Sequence, residues 1–250
     1  MAGICVRALG LPEVRPGDDL ATLILAALGE ESPGDEHLLA IAHKAVSKSE
    51  GALVELGTVT PSQRARELAE AAGKDPRAVQ VVLDESVELL RAQAGVLICR
   101  TRHGFVCANA GVDASNAPAG DTLVLLPRDP DASARRIRAR LRELTGAAPA
   151  VLISDSFGRP WRHGQVDVAI GLAGMQPLED WRGRRDATGL ELTATWLGLA
   201  DAVAAAAELA RAKDSREPVV LVAGLERYLT REDGPGAAAL LRPAREDLFR

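Results

Sequence analysis

Apolar residues in this chain fall into two patterns, short unbroken runs and longer stretches in which they recur every three or four positions, and each pattern predicts its own element. The unbroken runs over 4–6, 38–42, 150–153 and 219–222 have the length and aliphatic content of buried strands. The run 95–99 predicts another strand, joined through Arg102, His103 and Gly104 to a second one that leads into a polar turn at Asp113, Ala114, Ser115 and Asn116. Helical spacing covers 62–72 and 75–93, the latter with Asp75 as cap, Pro76 in its first turn, and Val79, Val82, Leu83, Val87 and Leu90 on one side. Asp18 or Asp19 caps a further helix that runs to Leu28. A helix over 131–144 gathers Ile137, Leu141 and Leu144, and leaves its arginines mainly to solvent. Residues 191–199 read as a strand and 201–213 as an Ala-rich helix. Strands and helices follow one another without a repeating unit, so the expected class is α+β rather than a doubly wound sheet.

Two places break the apolar pattern abruptly. The strand over 150–153 ends in Ser154, Asp155 and Ser156, followed by Gly158, Arg159, Trp161, Arg162 and His163. Carboxylates at the carboxyl end of a strand either start a turn or bind metal and phosphate. The turn at Asp113, Ser115 and Asn116 offers a second carboxylate, a hydroxyl and an amide, with an Asx-turn as the plain alternative. Two carboxylates from separate turns and a hydroxyl are what a hard divalent cation bridging phosphate oxygens requires.

Composition narrows the picture further. At 250 residues and 47% hydrophobic content the chain can bury an aliphatic core in one domain or two small lobes. A formal charge of −5 argues against nucleic-acid binding, which rests on clustered positive charge. Cys5, Cys99 and Cys107 lack metal-ligand spacing and read as reduced core thiols of a cytoplasmic protein. There is no leader-like segment at the N-terminus, and the Ala-rich stretch near residue 204 is interrupted by Glu208 and Arg211, so no membrane span is expected.

Several ordered segments carry a resemblance: GLPEVRPGDDL from Gly10 to Leu20, KAVSKSEG from Lys44 to Gly51, AGVDASN from Ala110 to Asn116, LLPRDPDASA from Leu125 to Ala134, and SDSFGRPWR from Ser154 to Arg162. Over nearly its whole length the chain resembles the coenzyme F420-0:L-glutamate ligase family. The resemblance implies a GTP-hydrolysing enzyme that joins L-glutamate to the lactyl carboxylate of coenzyme F420-0 through an acyl phosphate, with γ-linked glutamates added afterwards. It implies Mg2+ or Mn2+ and also K+. Residues 1–250 would form a single module of mixed, largely antiparallel sheets with helices, a two-lobed monomer in an intertwined homodimer whose site lies at the interface. Many relatives add a C-terminal reductase-like domain, which is not expected here because the chain stops at Phe249 and Arg250.

Carried over by position, Asp113 and Asp155 match ligands of one divalent ion and Ser156 the hydroxyl ligand of a second. Leu11, Pro12, Glu13, Val14, His43, Lys48 and Asn116 match nucleotide contacts. The chain departs from the pattern at His43, where Ser or Thr is usual, at Ala202, where Glu follows Asp201, and at Ala223, where Arg is commoner. Neither GxxxxGK[ST] nor GxGxxG occurs, so Lys48 and the metal sites are left to neutralise the phosphates. Asp155 and Lys48 are thus expected in catalysis, and Arg159 and Arg162 are candidates to grip an anionic acceptor. Trp161 would stack on the flat cofactor or anchor packing, and Asp167 would orient the glutamate amine or pair with Arg162. His103 and His163, beside turn glycines, fit exposed positions better than general bases. The alternatives are a paralogous amino-acid ligase for another phosphorylated hydroxy acid, or a weakened nucleotide- or cofactor-binding homologue.

Overall fold

Strands that are apolar on both faces are stable only where both faces are covered, and the runs over 38–42, 150–153 and 219–222 therefore lie side by side in one sheet. The computed structural model describes residues 3–117 and 120–247; Phe249 and Arg250 lie outside the described residues. In chain order the elements are β1 (Cys5–Leu9), α1 (Leu20–Leu28), β2 (Leu38–Ala42), α2 (His43–Ser49), β3 (Leu53–Glu55), α3 (Gln63–Ala72), α4 (Pro76–Asp84), β4 (Ser86–Gln93), β5 (Val96–Thr101) and β6 (Val106–Ala108). There follow β7 (Thr122–Val124), α5 (Pro130–Thr145), β8 (Ala150–Arg159), β9 (Arg162–Ala173), β10 (Leu178–Asp180), β11 (Trp196–Gly198), α6 (Leu199–Glu208) and β12 (Val219–Ala223).

The main sheet has the order β1-β12-β2-β8-β9. Only the β2–β8 pair is parallel; every other pairing in it, and in the smaller sheets β4-β5-β6, β3-β7 and β10-β11, is antiparallel. The expected mixed, largely antiparallel α+β class is what forms. On one face Leu39, Ile41, Val151, Ile153 and Leu221 pack under α1 and α5, with Ile24 and Leu141 wholly buried. On the other face Leu38, Ala40, Leu152 and Val222 meet the small side chains Ala200, Ala204 and Ala207 of α6, which allow the helix to lie close. A separate cluster beneath α3 and α4 includes Ala65, Val79, Val82, Leu97 and Cys99. Among the described residues no helix is long and apolar enough to cross a membrane.

The helix expected over 75–93 is corrected: α4 stops at Asp84 and β4 begins at Ser86. Val87 and Leu90 continue the helical spacing, yet the hairpin decides otherwise. Ala94 and Gly95 both take positive φ, 50° and 75°, the two-residue geometry that turns one strand tightly onto the next, and Gln93 then pairs with Val96. The strand expected over 191–199 shrinks to Trp196–Gly198, because Leu199 already opens α6 and Glu191 makes only an isolated bridge to Arg185. The strand expected over 150–153 is too short, since β8 runs on to Arg159 as one arm of a long hairpin with β9.

That hairpin needs Gly171. A Cβ there would stand 2.4 Å from the Pro130 carbonyl oxygen at the start of α5, a backbone contact that cannot swing aside. Asp131 completes the same junction by accepting from the Leu172 N–H at 2.8 Å and the Ala237 N–H at 2.7 Å. Gly171→Ala is therefore expected to cost roughly 1–3 kcal/mol by overpacking. Chemical denaturation should show a lowered midpoint with an unchanged slope; an unaltered midpoint would mean that α5 moves freely over the sheet.

Candidate active site at the ends of β2 and β8

Parallel pairing puts the carboxyl ends of β2 and β8 side by side, with Ala42 opposite Ser154. The next residue on each chain is His43 and Asp155, and their side chains meet, His43 Nε2 lying 3.2 Å from Asp155 Oδ1. The approach is close but not aligned for hydrogen bonding, so Nε2 is a buried nitrogen without a proper partner. His43 Nδ1 stands 3.3 Å from Ser47 Oγ one helical turn on, which holds the ring. One residue further, Lys44 Nζ donates to Asp113 Oδ2 at 2.5 Å and also to Ser115 Oγ. Consecutive residues at the start of α2 thus reach the two carboxylates singled out from the sequence.

Asp113 also forms the Asx-turn foreseen for it, accepting from the Ser115 N–H at 2.8 Å and from its hydroxyl at 2.7 Å. Burial alone would raise its pKa, but the hydrogen bonds from Lys44 and Ser115 and the lysine's charge outweigh it and hold the carboxyl at about 2. Just before it, Asn109, Ala110 and Gly111 all take positive φ, 51°, 54° and 72°. For alanine this conformation costs about 1–2 kcal/mol. Gly111 fits tightly against Leu126, and that contact helps seat the turn. Asn116 is exposed with a φ of 57°, the left-handed conformation asparagine tolerates best among residues with side chains.

Lys48, one turn after Lys44, is buried and donates to Glu13 Oε1 at 2.7 Å. Leu11 and Val14 are buried in the core beside it, while Pro12 and Glu13 are exposed. The segment 11–14 thus meets α2 through the Glu13–Lys48 pair, one turn beyond the Lys44–Asp113 pair.

Side chains alternate along β8, and this separates two residues adjacent in sequence. Asp155 shares a face with His43, whereas Ser154 and Ser156 point to the other, where they donate to Asp167 at 2.8 and 2.7 Å. An extra residue on β9, Ile170, fits between the pairs Ile153–Gly171 and Ser154–Ala169. The bulge resets the alternation between core and site, a common position for such a defect. Asp167 is buried and pairs with Arg211, just past the end of α6, not with Arg162. Its carboxylate is engaged on both oxygens, so an orienting role toward an amine does not fit.

Arg159, Trp161 and Arg162 stand at the hairpin tip, four residues and about 13 Å of strand beyond Asp155. Arg159 folds back on the turn and donates to the His163 carbonyl at 2.5 Å. Within one chain these arginines do not reach the two carboxylates. His103 Nε2 donates to the Pro127 and Arg128 carbonyl oxygens, 3.0 and 3.1 Å away, which makes it part of the local frame rather than of a catalytic pair. Ala202 is exposed on α6, and Ala223 lies at the end of β12 remote from His43, beyond the Val222–Leu38 pair. Sequence reasoning missed Lys44 as a partner of Asp113, and Arg211 and Glu208 near Asp167. Only pairing register brings these together.

Among the described residues no three His, Cys, Asp or Glu side chains converge as a ready metal cage. Asp113 and Asp155 nevertheless supply hard oxygen donors, and the Lys44 ammonium on Asp113 is part-exposed and would have to move aside for a cation. The fold and site define a class: an α+β protein in which the carboxyl ends of two adjacent parallel strands present carboxylates and lysines. The sequence comparisons are more specific. A sequence model of F420-0:gamma-glutamyl ligase matches residues 8–224, and the chain belongs to that family. It is similar to proteins named coenzyme F420:L-glutamate ligase from Methanopyrus kandleri, 50% identical over 95% of this chain and 94% of the relative, and from Methanothermobacter thermautotrophicus, 46% identical over 96% of each. The relative from Methanocaldococcus jannaschii is 40% identical over 98% of this chain and 96% of its own.

Two measurements check the site's electrostatics. Asp113 has a folded pKa below its unfolded value of about 3.9, so its contribution to stability is present above that pH and is lost as pH falls toward 2. Lys44→Met should raise the Asp113 carboxyl pKa, read by carbon NMR titration; an unmoved pKa would show that the lysine pair does not form. Burial, and then the Asp155 and Cys99 charges, push the Cys107 thiol up to about 12. Ellman's reagent on the native protein should therefore titrate the exposed Cys5 and spare Cys99 and Cys107.

Proposed function

We propose that the protein is a GTP-dependent ligase that forms an amide between L-glutamate and the lactyl carboxylate of coenzyme F420-0, and then adds γ-linked glutamates. Support comes from the family and from the names of its relatives. The observation that carries the chemistry is the paired contact of His43 with Asp155 and Lys44 with Asp113, which gathers two carboxylates from distant segments against one stretch of chain.

In this reading GTP lies along Leu11, Pro12, Glu13 and Val14, with His43 and Asn116 beside it. Lys48 exchanges Glu13 for a phosphate oxygen, a better partner for a desolvated ammonium than one exposed carboxylate. Asp113 and Asp155 would hold Mg2+ or Mn2+, with K+ as a further requirement, and the divalent ion would supply charge neutralisation at the phosphates. Lys44, displaced from Asp113, adds a second ammonium on the same side. An acceptor carboxylate oxygen attacks the γ-phosphorus, GDP leaves, and the acyl phosphate forms. The glutamate amine then attacks the acyl carbon, phosphate leaves with the C–O electron pair, and the amine nitrogen loses a proton. Positioning and charge, not covalent protein chemistry, drive the phosphoryl step.

Arg159 and Arg162 fit this scheme in a homodimer, where the hairpin tip of one copy serves the acceptor bound by the other. Residues 1–250 then act as one two-lobed module of a cytoplasmic enzyme, with its site in the interface groove.

Incubation with F420-0, GTP, Mg2+ and glutamate should give a product heavier by one glutamyl residue in mass spectrometry, with GDP formed in step. Asp155→Asn should lower that rate by about 100-fold or more while leaving the metal-free melting temperature nearly unchanged. Near-parental ligation by this variant would make Asp155 a turn residue and nothing more.

A further inference from the structure

Ser154, Ser156 and Asp167 form a tight oxygen cluster on the α6 face of the β8–β9 hairpin, and the cation of this cluster belongs to the chain itself. Asp167 is 3% exposed. One of its carboxylate oxygens accepts from Ser154 Oγ at 2.8 Å and the other from Ser156 Oγ at 2.7 Å. Arg211 Nη2 donates to Ser154 Oγ at 2.8 Å and pairs with Asp167 Oδ2, while Nη1 donates to the Pro218 carbonyl at 3.1 Å. The nearby Glu208 carboxylate is engaged by the Asp167 N–H at 2.9 Å.

The resemblance assigned Ser156 to a second divalent ion, and these residues do not fit one. The Ser156 hydroxyl is turned away from Asp155 toward Asp167, the carboxylate it meets has both oxygens engaged, and a guanidinium already occupies the charge-neutralising position. A divalent ion entering there would meet a like charge in a buried setting, which disfavours it strongly. Oxygen donors alone do not make a metal site when a fixed cation fills it.

We propose that the Arg211 guanidinium closes the Ser154, Ser156 and Asp167 cluster to a second metal ion, so that this chain binds a single divalent cation. The inference rests on the assignment of that one cation to Asp113 and Asp155 under the proposed function. A guanidinium stays protonated at all working pH values and cannot be removed by chelators. The ion pair on the Ser156 face is then constant, and only the Asp155 face responds to metal concentration.

Titration of the nucleotide-free protein with Mn2+, following the free-ion electron paramagnetic resonance signal, separates these claims. One ion should bind per chain, none to Asp155→Asn, one to Arg211→Lys, and two to Arg211→Ala. Two ions on the wild-type chain overturn the inference, as does an Arg211→Ala protein that still takes only one. The wild-type count stands by itself should Arg211→Ala fail to fold. No ion on the wild-type chain would instead defeat the Asp113 and Asp155 assignment, and this inference with it.

Discussion

The parallel pairing of β2 with β8 is the constraint on which the rest of the site depends. It is the one parallel pair of the main sheet, and its register sets Ala42 beside Ser154. Everything polar follows from the next step along each strand. His43 falls beside Asp155, Lys44 extends to the Asp113 turn, and α2 carries Lys48 one turn further to Glu13. A slip of one residue would exchange the faces of β8 and present Ser154 or Ser156 to His43 instead. The buried aliphatic runs on both faces oppose such a slip, since Val151 and Ile153 would leave one core and Leu152 the other.

The hairpin of β8 and β9 then sorts two kinds of chemistry onto two faces. Asp155, Phe157 and Cys107 share the side of His43, and Phe157 meets Phe105 edge to face at 6.1 Å, which ties the β4-β5-β6 sheet to the hairpin. Ser154, Ser156 and Asp167 share the side of α6, where Asp201 accepts from the Ala169 N–H at 2.9 Å and its pKa is raised by burial. The bulge at Ile170 lets one strand serve both a core and a site. The left-handed Asn109 and Ala110 put local backbone strain in the segment that presents the Asp113 carboxylate.

Much of this was legible in the chain. The apolar runs located the central strands, Asp75 and Pro76 located the start of α4, and the acid-rich breaks after Ile153 and at Asp113 located the carboxylates. The end of α4 was not legible, because Val87 and Leu90 keep helical spacing while an Ala94-Gly95 turn, without the usual asparagine, commits the segment to a hairpin. Partners were hidden for a different reason. Lys44 with Asp113 and Arg211 with Asp167 are separated by 69 and 44 residues, and only strand register and helix placement make them neighbours. Sequence adjacency also misled at Asp155 and Ser156, which alternate to opposite faces.

The central claim is that this register builds one cation- and phosphate-handling site from Asp113, Asp155 and the residues that follow β2. A crystal structure of the protein grown with GDP and Mn2+, with anomalous scattering recorded for manganese, tests it most directly. The strongest peak should touch the carboxylates of Asp113 and Asp155, with Lys44 moved off Asp113 and the nucleotide phosphates against Lys48. A manganese peak and GDP bound elsewhere, with the Lys44–Asp113 pair intact, would contradict it.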